Sequence, residues 1–240
     1  MDSNEKLYVN YVTNQLSQVH KDDYPLMARY FRKNYMRFLT HADERILDVG
    51  CGMGHFLYFL KNSGFADVTA IDLSQECIEH CRRMELLPAQ KLHRVEMDIF
   101  LGEKRECFDV IVLNDVMEHL PKDMILPCLH TAREALRPGG RIIIKVVNSS
   151  NPITGGGSRY IDFTHTVGFT EESLAQVLRM AGYRQVQVLP QDIWVFNPLI
   201  NAAGKLLQGL MNVLFRAMNL LYGRKTTKIF TKDLIAAGYR

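Results

Sequence analysis

Three glycines at alternate positions, in Asp48-Val49-Gly50-Cys51-Gly52-Met53-Gly54, separate a short apolar run ending in an acid from a helical run that opens His55-Phe56-Leu57-Tyr58. Glycine adopts positive φ without strain and carries no Cβ, so a chain written this way leaves a strand, turns tightly and enters a helix. The free N–H groups of that helix's first turn then face whatever lies over the turn. From Arg45 onward, short apolar runs alternate with helical stretches, the pattern of βαβ units. The expected fold is α/β: a doubly wound, mainly parallel seven-stranded sheet with strands at 45–49, 67–71, 92–96, 108–113, 140–147, 183–189 and 229–238.

The pattern divides the chain four ways. Residues 1–44, with aromatics at mixed spacing (Tyr8, Tyr11, Tyr24, Tyr30, Phe31, Tyr35, Phe38), read as an N-terminal helical cap, and 45–189 as the core. Residues 190–228 read as an amphipathic helical insertion before the last core strand at 229–240. With 240 residues and 47% apolar content, one large core is the natural outcome. A net charge of +3 is too small to call for nucleic acid, although Arg224, Lys225, Lys228, Lys232 and Arg240 crowd the last residues. The odd set Cys51, Cys77, Cys81, Cys107 and Cys128 does not suit a disulfide framework. Cys77 and Cys81 share a helical face, but nothing completes a zinc set at recognisable spacing, so buried thiols and no metal are expected. The first residues lack the basic-then-apolar pattern of an export signal, and no run of about 18 apolar residues would cross a bilayer. The expected location is the cytoplasm.

A similar turn cradles phosphates in dinucleotide-binding proteins, but there the third glycine is spaced differently. Here Asp48 stands at the strand end, where it would repel a pyrophosphate and attract the amino group of an amino-acid moiety. Asp72 ends the next strand, eighteen residues after Gly54, placed to accept two hydroxyls. Asp98 follows the third strand and suits an adenine amino group. Any of the three taken singly is an equally good helix cap. All three at successive strand ends mark the carboxyl edge, where open sheets bind ligands.

These residues, together with Phe108 to Asp115, Glu118-His119-Leu120 and Leu136-Arg137-Pro138-Gly139-Gly140, resemble the core of class I S-adenosylmethionine-dependent methyltransferases over residues 45 to about 147. The resemblance implies S-adenosylmethionine as cofactor. It places the methionine part on Asp48 and the backbone of Gly50, Cys51, Gly52 and Gly54, the ribose at Asp72 with Leu73, and the adenine at Asp98 with Ile99. Asn114 and Asp115 would lie beside the methionine segment, with His119 close by.

Methyl transfer from a sulfonium needs alignment of the acceptor and removal of its proton. The loop after the fifth strand offers Arg159-Tyr160-Ile161-Asp162-Phe163-Thr164-His165. His165 offers an imidazole and Asp162 is placed to orient it, a catalytic pair suited to deprotonating a hydroxyl. A loop hydrogen bond is the competing role for His165, and His119 is the rival base. Arg159 and Tyr160 suit a polar or phosphorylated acceptor. This segment and Gly168-Phe169-Thr170 resemble methyltransferases of bacterial surface-polysaccharide biosynthesis, which implies a sugar hydroxyl of a glycan or its lipid-linked precursor. A quinone or other small-molecule methyltransferase is the alternative, and a non-catalytic scaffold is a third reading.

Residues 198–223 read PLINAAGKLLQGLMNVLFRAMNLLYG, a wide apolar arc with one narrow stripe of Asn201, Lys205, Gln208, Asn212, Arg216 and Asn219. An in-plane helix at the inner face of the cell membrane, a homodimer interface and a buried core helix compete for this segment. Trp194 and Tyr222 bracket it as interfacial anchors would, and Arg224, Lys225 and Lys228 suit anionic headgroups.

Overall fold

The computed structural model describes residues 23–191, 197–224 and 227–240. The expectations for Tyr8, Tyr11, Trp194, Lys225 and the first half of the cap lie outside the described residues. The remainder forms one seven-stranded sheet in the order β3-β2-β1-β4-β5-β7-β6. Strand β1 (Ile46–Val49) is an interior strand, with β2 (Val68–Asp72) and β3 (Leu92–Arg94) on one side. On the other side lie β4 (Phe108–Asn114), β5 (Leu136–Val147), β7 (Asp233–Tyr239) and β6 (Arg184–Pro190). The β1 to β5 pairs are parallel, and β7 runs antiparallel to both its neighbours. Strands covered on both faces are mostly apolar, and β1 and β4 read Ile-Leu-Asp-Val and Phe-Asp-Val-Ile-Val-Leu-Asn, with polar residues towards their ends.

Two helical layers cover the sheet. Helices α1 (Tyr24–Tyr35), α2 (His55–Asn62) and α3 (Gln75–Arg83) precede the short α4 (Met97–Leu101) and α5 (Ile125–Ala135). Then come α6 (Gly155–Tyr160), α7 (Glu171–Met180) and the long α8 (Pro198–Leu221). The aromatics of the cap have a packing purpose: Phe31 and Tyr35 meet Phe56 with ring centroids 5.0 and 5.2 Å apart, joining α1 to α2 in one of the two cores. Arg141, buried in β5, ties the cap from below through Glu44 at 2.7 Å. All five cysteines are free thiols, four of them buried.

Three strands have bounds that differ from the expectation by more than one residue, and of these the fifth begins early, at Leu136. The third stops at Arg94, because Glu96 takes an extended conformation and starts α4, so Asp98 lies in a first helical turn. The seventh begins at Asp233, four residues after Ile229, because side chains from elsewhere capture the backbone that would have made a ladder. Asn148 Nδ2 donates to the carbonyls of Ile229 and Thr231 at 3.0 and 2.9 Å, and Glu171 accepts from the N–H groups of Lys228 and Ile229. The buried-core reading of 198–223 is overturned, since no residue of α8 is buried.

Candidate active site

The glycine turn is held from three directions. Gly54, at φ +79, admits no side chain: a Cβ there would lie 2.2 Å from Leu86 Cδ1 and 2.9 Å from Cys81 Sγ. Gly52, at φ +50, is different, because a Cβ there would meet nothing within 4 Å and would project into open space over the turn. The carboxylate of Asp72 accepts from Gly52 N and Ser74 N, both at 2.8 Å, so it organises the turn and the start of α3 together. From the cap, Tyr24 donates its hydroxyl to Met53 O at 2.6 Å and stacks on His55, 4.4 Å between centroids. With that proton committed, His80 Nε2, 2.8 Å away, is the donor to the tyrosine oxygen.

Beside this turn two acids are buried without hydrogen-bond partners. Both carboxylate oxygens of Asp48 and both of Glu118 lack one. Burial raises the pKa of Asp48, with Asp72 adding to the rise, and burial followed by Asp115 lifts Glu118 to about 8. Orphaned groups of this kind call for a partner that the polypeptide does not supply. The amino group of a methionine moiety would satisfy Asp48. Leu73 and Ile99, 38% and 68% exposed, are apolar side chains left open beside Asp72 and Asp98, suited to the two faces of a purine. These features fit S-adenosylmethionine. Asn114 accepts a short hydrogen bond from the Tyr35 hydroxyl, while its own Nδ2 is buried and unpartnered. Asp115, at φ 54, directly follows β4 and pairs with Lys145 Nζ at 2.5 Å. Burial opposes the charge on Lys145, but Asp115, Asp233 and the tyrosines beside it outweigh that and raise its pKa.

The acceptor loop folds onto this edge. Glu118 O accepts from Thr166 N and Val167 N at 2.8 and 3.2 Å, clamping the loop over the single helical turn Met117–His119 that follows β4. One ring nitrogen each of His119 and His165 and a carboxylate oxygen of Asp162 lie within 4.8 Å of one another, and the two rings meet edge-on with centroids 4.6 Å apart. The same three side chains form a group close enough to hold a divalent cation. Besides lying near His165, Asp162 is joined to His119 by a chain of hydrogen bonds. Asp162 Oδ1 accepts from Thr164 N at 2.9 Å, a two-residue turn that folds the carboxylate back, and from Thr164 Oγ1 at 2.6 Å. Thr164 oxygen in turn accepts from His119 Nδ1 at 2.8 Å, so Asp162 orients His119 through a hydroxyl. His165 Nδ1 donates to Ser158 O at 2.9 Å. In the neutral form both histidines therefore carry their lone pair on Nε2. Burial lowers the pKa of His119, with His165 adding to the fall.

Arg159, expected to meet the acceptor, instead donates to the carbonyls of His165 and Thr166 and braces the loop. Tyr160 is 81% exposed, and Ile161 and Phe163 beside it are as open. Glu118, Tyr24, Thr164 and Lys145 are the site residues that sequence reasoning did not single out. Glu118 and Thr164 stand inside the quoted segments and Tyr24 among the cap aromatics, but their spacing does not set them apart from their neighbours. A separate concavity of about 500 Å³, lined by Thr40, Glu44, Asp109 and Arg137, lies at the opposite, amino edge and is unrelated to this chemistry.

The chain is similar to known proteins in sequence and in fold. A ubiquinone biosynthesis O-methyltransferase of Rattus norvegicus is 32% identical over 138 residues, covering 52% of this chain and 39% of the relative. One from Aromatoleum aromaticum is 28% identical over 170 residues, covering 66% of this chain and 70% of the relative. The chain spans less than half the length of the first two curated relatives it matches. Among solved structures, a SAM-dependent methyltransferase from Archaeoglobus fulgidus superposes with a TM-score of 0.65 at 18% identity, covering 90% of this chain and 94% of its own. A second, from Thermotoga maritima, gives 0.62 at 15% identity and covers 98% of both chains. A family profile described as a methyltransferase domain matches residues 25–188, more than half of the chain. The chain belongs to that family, and the turn, the acids and the cap described above are its S-adenosylmethionine-dependent methyltransferase domain.

Proposed function

We propose that the protein is an O-methyltransferase whose acceptor is a phenolic hydroxyl on a ring carried by an apolar tail. The observation that carries this reading is the division of the acceptor loop. Its polar members, Asp162, Thr164 and His165, turn inward to His119, Arg159 braces the backbone, and Tyr160, Ile161 and Phe163 form an exposed apolar rim. A phenol has a pKa of about 10, like tyrosine, within reach of a neutral imidazole, whereas a sugar hydroxyl is a far weaker acid. The names of the curated relatives support oxygen as the acceptor atom and a quinone-type ring as its carrier. Arg159 adds nothing to the sugar reading, because it is committed to carbonyls of its own loop.

When bound, S-adenosylmethionine supplies an electrophilic methyl group on a sulfonium that departs as a neutral thioether. The chain's residues do the rest. Asp48 and the turn hold the amino-acid end, and the buried edge excludes water. His165 Nε2 takes the hydroxyl proton while an oxygen lone pair forms the new O–C bond, and the Ser158 carbonyl stabilises the resulting imidazolium. His119, held by Thr164 and Asp162, fixes the position of His165 edge-on.

The test is transfer of labelled methyl to a phenol bearing a prenyl tail and to a glycoside bearing the same tail. The phenol is expected to be methylated, and His165→Ala to lower its turnover on the order of 100-fold or more with cofactor affinity retained. Methylation of the glycoside alone overturns the acceptor assignment, and unchanged turnover in the variant overturns the base.

A further inference from the structure

The long helix α8 is amphipathic, and it is mounted inside out. Its half-buried positions are Asn201, Gly204, Gln208, Met211, Asn212, Phe215 and Asn219, spaced by one to four residues along one face. That face carries most of the polar stripe. The opposite face holds Leu199, Leu206, Leu207, Leu210, Val213, Leu214 and Leu221, which are between 56% and 85% exposed. A helix on a water-soluble surface shows the reverse order, because the apolar arc is driven inward. A contiguous apolar face of this length marks an interaction surface.

The charge around the face selects its occupant. From Asn197 to the end of the chain the only acid is Asp233, against Lys205, Arg216, Arg224, Lys225, Lys228, Lys232 and Arg240. Of these, Arg224, Lys228 and Lys232 are exposed beyond the helix's end. A second copy docked face to face would bring these bases together, with Glu171 and Glu172 already engaged by Lys228 N and Thr227 of their own chain. An anionic lipid surface answers both the apolar arc and the charge. Among the described residues no helix is long and apolar enough to cross a membrane, which leaves the in-plane orientation.

The helix is also tied to the catalytic edge. Phe215 packs on Phe230 with centroids 5.7 Å apart, and Arg216 Nε donates to Lys228 O at 2.9 Å. Asn151, which begins the acceptor loop, donates to Phe230 O at 2.9 Å, and Val147 pairs with Asp233. We infer that the outward face of α8 docks the enzyme in the plane of an anionic bilayer, holding the acceptor edge at the level where a lipid-tailed substrate resides. The docking itself rests on α8 alone. Only the supply of substrate from the bilayer rests on the acceptor proposed above.

The experiment is flotation of the full chain with vesicles of phosphatidylcholine alone or with a third of phosphatidylglycerol, at low and high salt. The expected result is at least tenfold greater recovery with the anionic vesicles, reduced at high salt. Combining Leu207→Glu, Leu210→Glu and Leu214→Glu should abolish recovery while leaving methyl transfer to a short-tailed, water-soluble phenol unchanged, since these side chains touch neither core nor active site. No recovery with anionic vesicles, equal recovery with neutral ones, or a wild-type dimer that the triple variant converts to monomer without any vesicle binding overturns the inference. Failure of the phenol assay with flotation intact would instead strike the proposed acceptor.

Discussion

At the scale of single residues, Asp48 illustrates a site that costs stability. Its carboxylate is buried in β1 with neither oxygen partnered, and burial raises its pKa. Replacing a buried, unpaired acid by its neutral isostere relieves that burden, so Asp48→Asn is expected to stabilise the cofactor-free protein by about 1 kcal/mol or more. The same change should weaken S-adenosylmethionine binding tenfold or more, because the amino group loses its counter-charge. Urea unfolding and calorimetric titration read the two effects, and a variant that binds cofactor normally would refute the amino-group role. Asp48 was legible in the sequence because an acid ending an apolar strand before a glycine turn is a local pattern. Glu118 was not, because what distinguishes it is burial beneath a loop from residues 162–167, which no local spacing reveals.

At the scale of elements, the cap and the insertion are the two parts that serve the core from outside it. Helix α1 reaches the glycine turn through Tyr24 and the end of β4 through Tyr35. Tyr24→Phe leaves Met53 O and His80 without a shared partner and should cost about 1 kcal/mol. Cofactor affinity is expected to fall several-fold while turnover at saturating cofactor stays near wild type. Thermal melts and initial-rate kinetics check this, and a fall in turnover alone would show that the cap acts on the acceptor instead. The aromatics of 24–38 were readable as helical but not as a clamp on the turn, since their spacing does not say which face meets α2. For α8 the periodicity correctly separated stripe from arc. The side that faced the protein was the opposite of the one that hydrophobicity favours, and only packing against Phe230 and Lys228 O decided it.

At the scale of the whole molecule, the buried acids at the carboxyl edge set a pH dependence. Glu118 in the folded protein keeps its proton up to about pH 8, whereas in the unfolded chain it releases it near 4.5. Between those values the unfolded state binds fewer protons, so cofactor-free stability falls as pH rises, by up to about 1.4 kcal/mol per pH unit from this group. Asp48 and Asp72, also raised, act in the same direction. Unfolding curves from pH 5 to 8 should show a decline that Glu118→Gln makes shallower, and a slope identical in the variant would contradict the buried, protonated state.

What the sequence by itself determined is the strand, turn and helix around Gly50 to Gly54, the alternation that builds the parallel sheet, and the acids Asp48 and Asp72 at successive strand ends. These follow from local forces, namely backbone freedom at glycine and the periods of strand and helix, which act between near neighbours. Only the tertiary structure decided that Asp162 serves His119 through Thr164, that Arg159 braces its own loop, that β7 starts at Asp233, and that α8 turns its apolar face outward. Each of these depends on competition between distant groups for the same hydrogen bond or the same surface, and that competition is resolved only when the whole chain is packed.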